Sequence, residues 1–200
     1  MYKSSLTILE NRTVLTISGD DAKNFLQGLV TNDVDKVSEE NTIYTALLTP
    51  QGKYLHDFFI LKIGDKYYLD CEESRIEDLI RRLRMFKLRT NVIIELANEM
   101  CVIAIYGDRT IEGLSLTHSL GYSKPHVDGK IYTDPRLETI GARGIVPKTS
   151  IIELSENDRL KITPFESYDK LRISLGLPDS SRDMKIEKST LLESGFDELN

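Results

Sequence analysis

Two strand-like runs, Ile43–Thr49 and Tyr54–Ile63, are separated only by Pro50-Gln51-Gly52-Lys53. Proline presets φ early in such a turn and glycine accepts positive φ, so the runs fold back on each other as an antiparallel pair. A parallel connection would need a crossover of about a dozen residues or more, and there is no room for one here. Gly64-Asp65-Lys66 makes a second reversal, into a strand at Tyr67–Cys71. Thr7–Leu9 and Val14–Ser18 read as two further strands, joined by a polar hairpin turn at Glu10-Asn11-Arg12.

Helical patterns are set among these strands. Ala22, Phe25, Leu26 and Leu29 recur at i, i+3, i+4 and i+7 behind Asp20, a candidate cap. Ile76, Leu79, Ile80, Leu83 and Phe86 form a second apolar stripe, with Ser74 and Glu77 spaced as a capping box. A third helix starts at Thr163-Pro164 with Glu166 completing its box; it carries Tyr168, Leu171 and Leu175 and stops at Gly176 and Pro178. Val92–Leu96 and Cys101–Tyr106 are rich in β-branched residues, and Ile131–Thr133 and Gly144–Val146 are short strand candidates. Asp108–His118 reads as a short helix, and Lys124–Lys130 as a loop ending in an Asp128-Gly129 turn. Strands and helices interspersed in this way, with hairpin reversals, predict an α+β fold with mostly antiparallel sheets.

The composition narrows the function classes. A formal charge of −6 does not attract a phosphate backbone, so general nucleic-acid binding is not expected. Arg81, Arg82, Arg84, Lys87 and Arg89 form a local basic run, which is either a solvated helix face or a contact surface. Cys71 and Cys101 have no metal-ligand spacing and lie in apolar runs, as buried reduced thiols do; no metal site is expected. No apolar run approaches the ~20 residues of a membrane span, and the N-terminal sequence passes straight into strand alternation, so the expected setting is the cytosol, away from membranes. GxGxxG, GxxxxGK[ST] and nucleophile-elbow patterns are absent.

Asp57 is the acid that stands out. It sits within Tyr54-Leu55-His56-Asp57-Phe58-Phe59, where alternation would place Leu55, Asp57 and Phe59 on one face and His56 on the other. A carboxylate on an apolar face is costly without a partner or ligand, so Asp57 either caps a neighbouring turn or serves a site. Asp134-Pro135-Arg136 and Gly141-Ala142-Arg143-Gly144 form a second constellation. Its guanidinium groups suit a ligand carboxylate or carbonyl, or equally a structural salt bridge from Arg136 or Arg143 to Asp134. Phe58, Tyr106, Tyr122 and Tyr132 are candidates for stacking on a flat ring or for the core. His118 and His126 have no partner in local sequence.

Several segments, in order, resemble the folate-binding YgfZ family, relatives of the glycine-cleavage aminomethyltransferase. They are Gly19–Ala22 with Phe25–Gly28 and Thr31–Val34, then Leu48–Lys53 with Asp57, then Asp134–Leu137 with Gly141–Arg143. Leu171–Pro178 resembles the family's RIxxGxP segment, and Leu192–Asp197 the stretch before its KGCYxGQE signature. The resemblance implies two interlocked ferredoxin-like lobes forming a folate-binding domain over residues 1–200. The lobes are expected at about 1–45 with 140–200, and at 46–139, without the C-terminal β-barrel and cysteine motif that normally follow. It implies tetrahydrofolate or a derivative as cofactor, and iron–sulfur client or assembly proteins as partners. The expected role is an accessory one in iron–sulfur cluster assembly or repair, supporting tRNA modification by iron–sulfur enzymes. The alternatives are a folate-dependent aminomethyl or one-carbon transferase, or a shortened form without function. Asp57 is the residue implied beside the folate nitrogens, and the one catalytic candidate; Arg143 would anchor the ligand and Glu193 would shape the pocket wall. Ser174, in Leu171–Gly176, stands where the aminomethyltransferases carry a pterin-binding glutamate, so it would offer a hydrogen bond without a charge.

Overall fold

The computed structural model describes residues 4–196; Asp197, the last residue of the segment that resembles the stretch before KGCYxGQE, lies outside them. The chain builds two sheets packed face to face. The first has five strands: β2 (Arg12–Ser18), β3 (Ile43–Leu48), β4 (Tyr54–Ile63), β5 (Lys66–Glu72) and β6 (Ile93–Leu96), in the order β3-β4-β5-β2-β6. The second has six: β1 (Ser4–Ile8), β7 (Met100–Gly107), β8 (Ser123–His126), β9 (Gly129–Thr133), β10 (Ala142–Pro147) and β11 (Leu160–Ile162), in the order β11-β1-β7-β10-β9-β8. Every pairing is antiparallel except β1 with β11. This is the expected α+β architecture, and neither sheet closes into a barrel.

The expected β1–β2 hairpin does not form. Arg12 N–H closes the turn onto Leu9 C=O, but the chain then changes sheets: β1 lies between β7 and β11, and β2 between β5 and β6. In β2, Leu15 and Ile17 are buried under helices while Val14 is buried between the sheets. A strand covered on both faces favours a central position with a neighbour on each side. The lobe boundaries differ for the same reason. Pairing groups residues 12–96 in one sheet and residues 4–8 with 100–162 in the other, instead of 1–45 with 140–200 and 46–139.

Three apolar cores follow from this layering. One lies between the first sheet and helices α1 (Ala22–Gln27) and α2 (Ile76–Lys87), with Phe25, Leu26, Leu79 and Leu83 buried against Ile17, Phe58 and Ile60. Another lies under α3 (Thr110–Gly113) and α4 (Ile151–Asn157) on the outer face of the second sheet. The third lies between the sheets and receives Tyr168 from α5 (Phe165–Ser174). Lys130 of β9 spans the two sheets: its buried ammonium donates to Lys62 C=O on β4 and to Glu39 C=O and Oε2, the last two at 2.8 Å.

The expected caps are replaced by other contacts. Ser74 bonds Glu72 rather than Glu77, and a turn of 3-10 helix precedes α2. Asp20 and Asp21 accept from Asn91 instead of capping α1. Thr163 Oγ1 meets Thr7 Oγ1 at 2.9 Å and Tyr106 OH at 2.8 Å, fixing the start of α5 on β1 and β7. Phe86, expected in the buried stripe, is 51% exposed because the last turn of α2 is left uncovered. Residues 124–126, read as loop, form edge strand β8.

Candidate functional site

Asp57 reaches the inter-sheet layer because β4 is irregular. Leu47 pairs with His56, but Leu48 pairs with Tyr54, so Leu55 is an extra residue on that strand. Such a bulge shifts the alternation by one. Leu55 therefore faces the helix-covered core, and Tyr54 takes its expected place beside Asp57 and Phe59. His56 faces the other way, as expected, with Nε2 at 2.9 Å from Asp78 Oδ2 on α2. Burial and nearby Arg75 hold the His56 imidazole below its usual range.

Asp57 is 3% exposed, and its two oxygens are held separately. Tyr44 OH donates to Oδ2 at 2.9 Å and Tyr54 OH donates to Oδ1 at 2.8 Å. Both phenols are pushed above their usual range, first by burial and then by the Asp57 carboxylate. Both remain neutral donors.

Asp70, on the neighbouring strand β5, is fully buried and held by guanidinium groups. Arg12 Nε donates to Oδ1 at 2.5 Å, and Arg143 donates to Oδ2 from Nη2 at 2.5 Å and Nε at 3.1 Å. Burial alone would raise the Asp70 pKa; the two arginines outweigh it and hold the carboxyl below the usual range. Arg136 forms a bidentate pair with Asp134, at 3.0 and 2.8 Å. Thus the salt-bridge reading holds for Arg136 with Asp134, whereas Arg143 pairs with Asp70. The Arg136 and Arg143 guanidiniums also lie 4.8 and 4.4 Å from the Phe59 ring centroid, in cation–π contact. Arg12, Arg136 and Arg143 balance Asp57, Asp70 and Asp134 in charge.

The glycines around Arg143 allow the strands to come together. Gly141 has φ +103°, and a Cβ there would lie 2.4 Å from Ile105 C=O; one on Gly144 would lie 2.9 Å from Lys130 C=O. Their absent side chains let β10 sit between β7 and β9 and send Arg143 into the layer.

The C-terminal segment closes this layer. Arg12 Nη1 donates to Ser180 Oγ at 2.6 Å, at the start of α6 (Ser180–Asp183). Tyr54 N–H donates to Ser189 C=O at 2.9 Å and Tyr54 C=O accepts from Glu187 N–H at 2.8 Å. Phe196 packs on Tyr44 with ring centroids 5.1 Å apart, and Met184 is buried nearby in the same core.

Of the four sequence-derived site residues, Asp57 and Arg143 enter the layer and two stay outside it. Ser174 is exposed at the end of α5, its hydroxyl donating to Leu171 C=O at 2.7 Å. Glu193 is exposed, with Oε2 accepting from Thr190 N–H at 2.9 Å in a local turn. Their helix and turn direct both side chains to solvent. Phe58 belongs to the helix-covered core; Phe59 and Tyr132 are the paired aromatics of the layer, 5.9 Å apart. His118 and His126 find distant partners, Glu138 at 2.5 Å and Asp158 at 2.6 Å. Arg12, Tyr44, Tyr54, Asp70, Tyr168 and Ser180 complete the site without being read as candidates. Asp70 had a signal, since it lies in Tyr67–Cys71 as Asp57 lies in its own strand.

Cys71 and Cys101 are buried, and burial raises both thiols, that of Cys101 to about 11. Neither supplies a thiolate at neutral pH. Among the described residues no group of three His, Cys, Asp or Glu side chains could hold a metal ion, and no helix is long and apolar enough to cross a membrane.

Residues 7–121 match the family described as the GCVT N-terminal domain. The chain belongs to this family. Among curated GCVT-type proteins it is similar to the iron-sulfur cluster assembly factor IBA57 homolog, mitochondrial, of Neurospora crassa. The two are 27% identical over 99% of this chain and 46% of that protein. The same-named protein of Dictyostelium discoideum is 25% identical, over 99% of this chain and 55% of its own length. The aminomethyltransferase of Thermoanaerobacter pseudethanolicus is also 25% identical, over 92% and 55%. The chain thus spans about half the length of these curated relatives. In fold, it superposes on the glycine cleavage system aminomethyltransferase T of Bartonella henselae with a TM-score of 0.71 at 17% identity, over 89% of this chain and 52% of that one.

Proposed function

We propose that this chain is a folate-binding accessory protein of iron–sulfur cluster assembly or repair, of the YgfZ-like branch of its family. The assembly role is supported by the names of its relatives, which cover nearly the whole chain. The observation that carries the ligand reading is Asp57, a carboxylate 3% exposed in an aromatic layer whose hydrogen-bond partners among the described residues are two neutral phenols. Such a carboxylate can exchange a phenol for a ligand N–H without stranding a buried cation.

The donor set fits a pterin. Asp57 would accept from its polar N–H edge, and Tyr44 and Phe59 would lie against its flat face. Arg143, already committed to Asp70, would act by holding the layer in shape. A bound folate supplies a carrier for one-carbon units. The space beside Tyr44 is taken by Phe196, so ligand entry requires the segment at 187–196 to give way. Ser174 and Glu193 have no part in this reading.

Calorimetric titration with tetrahydrofolate tests it, using wild type, Asp57→Asn and Phe196→Ala. Tighter binding by Phe196→Ala and weaker binding by Asp57→Asn are expected. If neither wild type nor Phe196→Ala binds, the folate reading is wrong.

A further inference from the structure

The molecule carries an exposed apolar cluster outside the inter-sheet layer. At the end of α2, Met85, Phe86 and Leu88 are 64%, 51% and 86% exposed. Leu88 also has φ +41° and ψ −108°, a strained backbone for a branched side chain. Clustered exposed apolar side chains of this kind mark contact sites more often than chance surface does.

The charge around them is one-sided. Residues 81–89, Arg-Arg-Leu-Arg-Met-Phe-Lys-Leu-Arg, hold five cations and no acid in a chain of net charge −6. Arg81 and Arg82 are engaged with Asp78, and Arg82 also with Glu187 at 3.7 Å. Among the described residues, Arg84, Lys87 and Arg89 have no carboxylate within 4.0 Å.

Glu77, Ile80, Arg81, Arg84 and Met85 follow one another at helical spacing along a single stripe of α2. Beside it an open groove lies between Leu88, Arg89 and Phe25 of α1. Glu77 lies on the stripe and Asp21 lines the groove, so a uniformly anionic surface or a phosphate backbone would meet repulsion at both. A peptide can set its acids opposite the cations alone.

We propose that this face docks an acidic amphipathic segment of a partner protein. Apolar side chains three or four residues apart pack on Met85, Phe86 and Leu88, and flanking carboxylates pair with Arg84, Lys87 and Arg89. This surface is separate from Asp57 and does not depend on the folate reading.

The test is selection of a random peptide display library on the 200-residue chain, with counter-selection on Met85→Ser/Leu88→Ser. Surviving peptides are expected to combine Asp or Glu with apolar residues at helical spacing. Their affinity is expected to fall about tenfold or more for Arg84→Glu/Arg89→Glu, and to weaken with salt. Leu88→Gly, which removes the side chain while relieving its backbone, should also lose binding without loss of fold. Tetrahydrofolate titration should be the same in all these variants. The proposal fails if no peptide depends on the patch, or if the survivors lack acids. It fails equally if phosphatidylcholine–phosphatidylserine vesicles retain the wild type but not the serine variant, which would make the patch a lipid contact. A concentration-dependent dimer abolished by the serine variant would assign the face to a second copy and also overturn it.

Discussion

Two buried carboxylates on neighbouring strands of the inter-sheet layer are held differently. Asp70 is clasped by two guanidinium groups, whereas Asp57 is held by two phenols. An ion pair in a desolvated site cannot lose one member without leaving the other uncompensated. A carboxylate with neutral donors can change its partners at the cost of a hydrogen bond. Asp70 therefore acts as a clamp between sheets, joining β2, β5 and β10, and Asp57 is the one suited to exchange.

The largest expected effect is on Asp70→Asn. It strands Arg12 and Arg143 and should cost about 3–5 kcal/mol in urea unfolding. Its pH dependence gives a second check. Because the Asp70 pKa is lowered in the fold, its stabilisation is full above the usual carboxylate range near pH ~4 and is lost as pH falls through and below it. The acid loss of stability should be shallower in Asp70→Asn than in wild type.

Phe196→Ala should cost about 2 kcal/mol, since it uncovers Tyr44 at the edge of the layer. Asp57→Asn should cost only about 1 kcal/mol, because one phenol can still donate to the amide oxygen and the other can turn its hydroxyl to accept from the amide N–H. If thermal melts show Asp57→Asn to be as damaging as Asp70→Asn, the distinction between the two carboxylates is broken. Leu88→Gly should be the mildest, stabilising by a few tenths of a kcal/mol or staying neutral, because it relieves positive φ and exposes nothing new.

The amphipathic helices and the reversal at Pro50–Lys53 were legible because local spacing carries them. α2 buries Leu79 and Leu83 as its periodicity requires. Asp57 was legible as a carboxylate in an apolar strand, but its neighbour was not. The extra residue Leu55 replaced itself with Tyr54 on the site face, and no alternation rule announces a bulge. The caps failed for a related reason. Ser74 turned back to Glu72 and Thr163 met Thr7 and Tyr106, since a capping motif competes with every donor and acceptor within reach.

Arg12 illustrates the wider limit. In sequence it closes a polar turn; in the fold it is a buried partner of Asp70, because β2 leaves β1 and joins β5. The sequence by itself determined the α+β class, the helix faces and the prominence of Asp57 and Arg143, all of which depend on residue types and short spacings. The tertiary structure decided which strands share a sheet, which cations meet which carboxylates, and the closure of the layer over Asp57. These depend on contacts between residues such as Arg143 and Asp70, 73 positions apart, whose meeting no local pattern encodes.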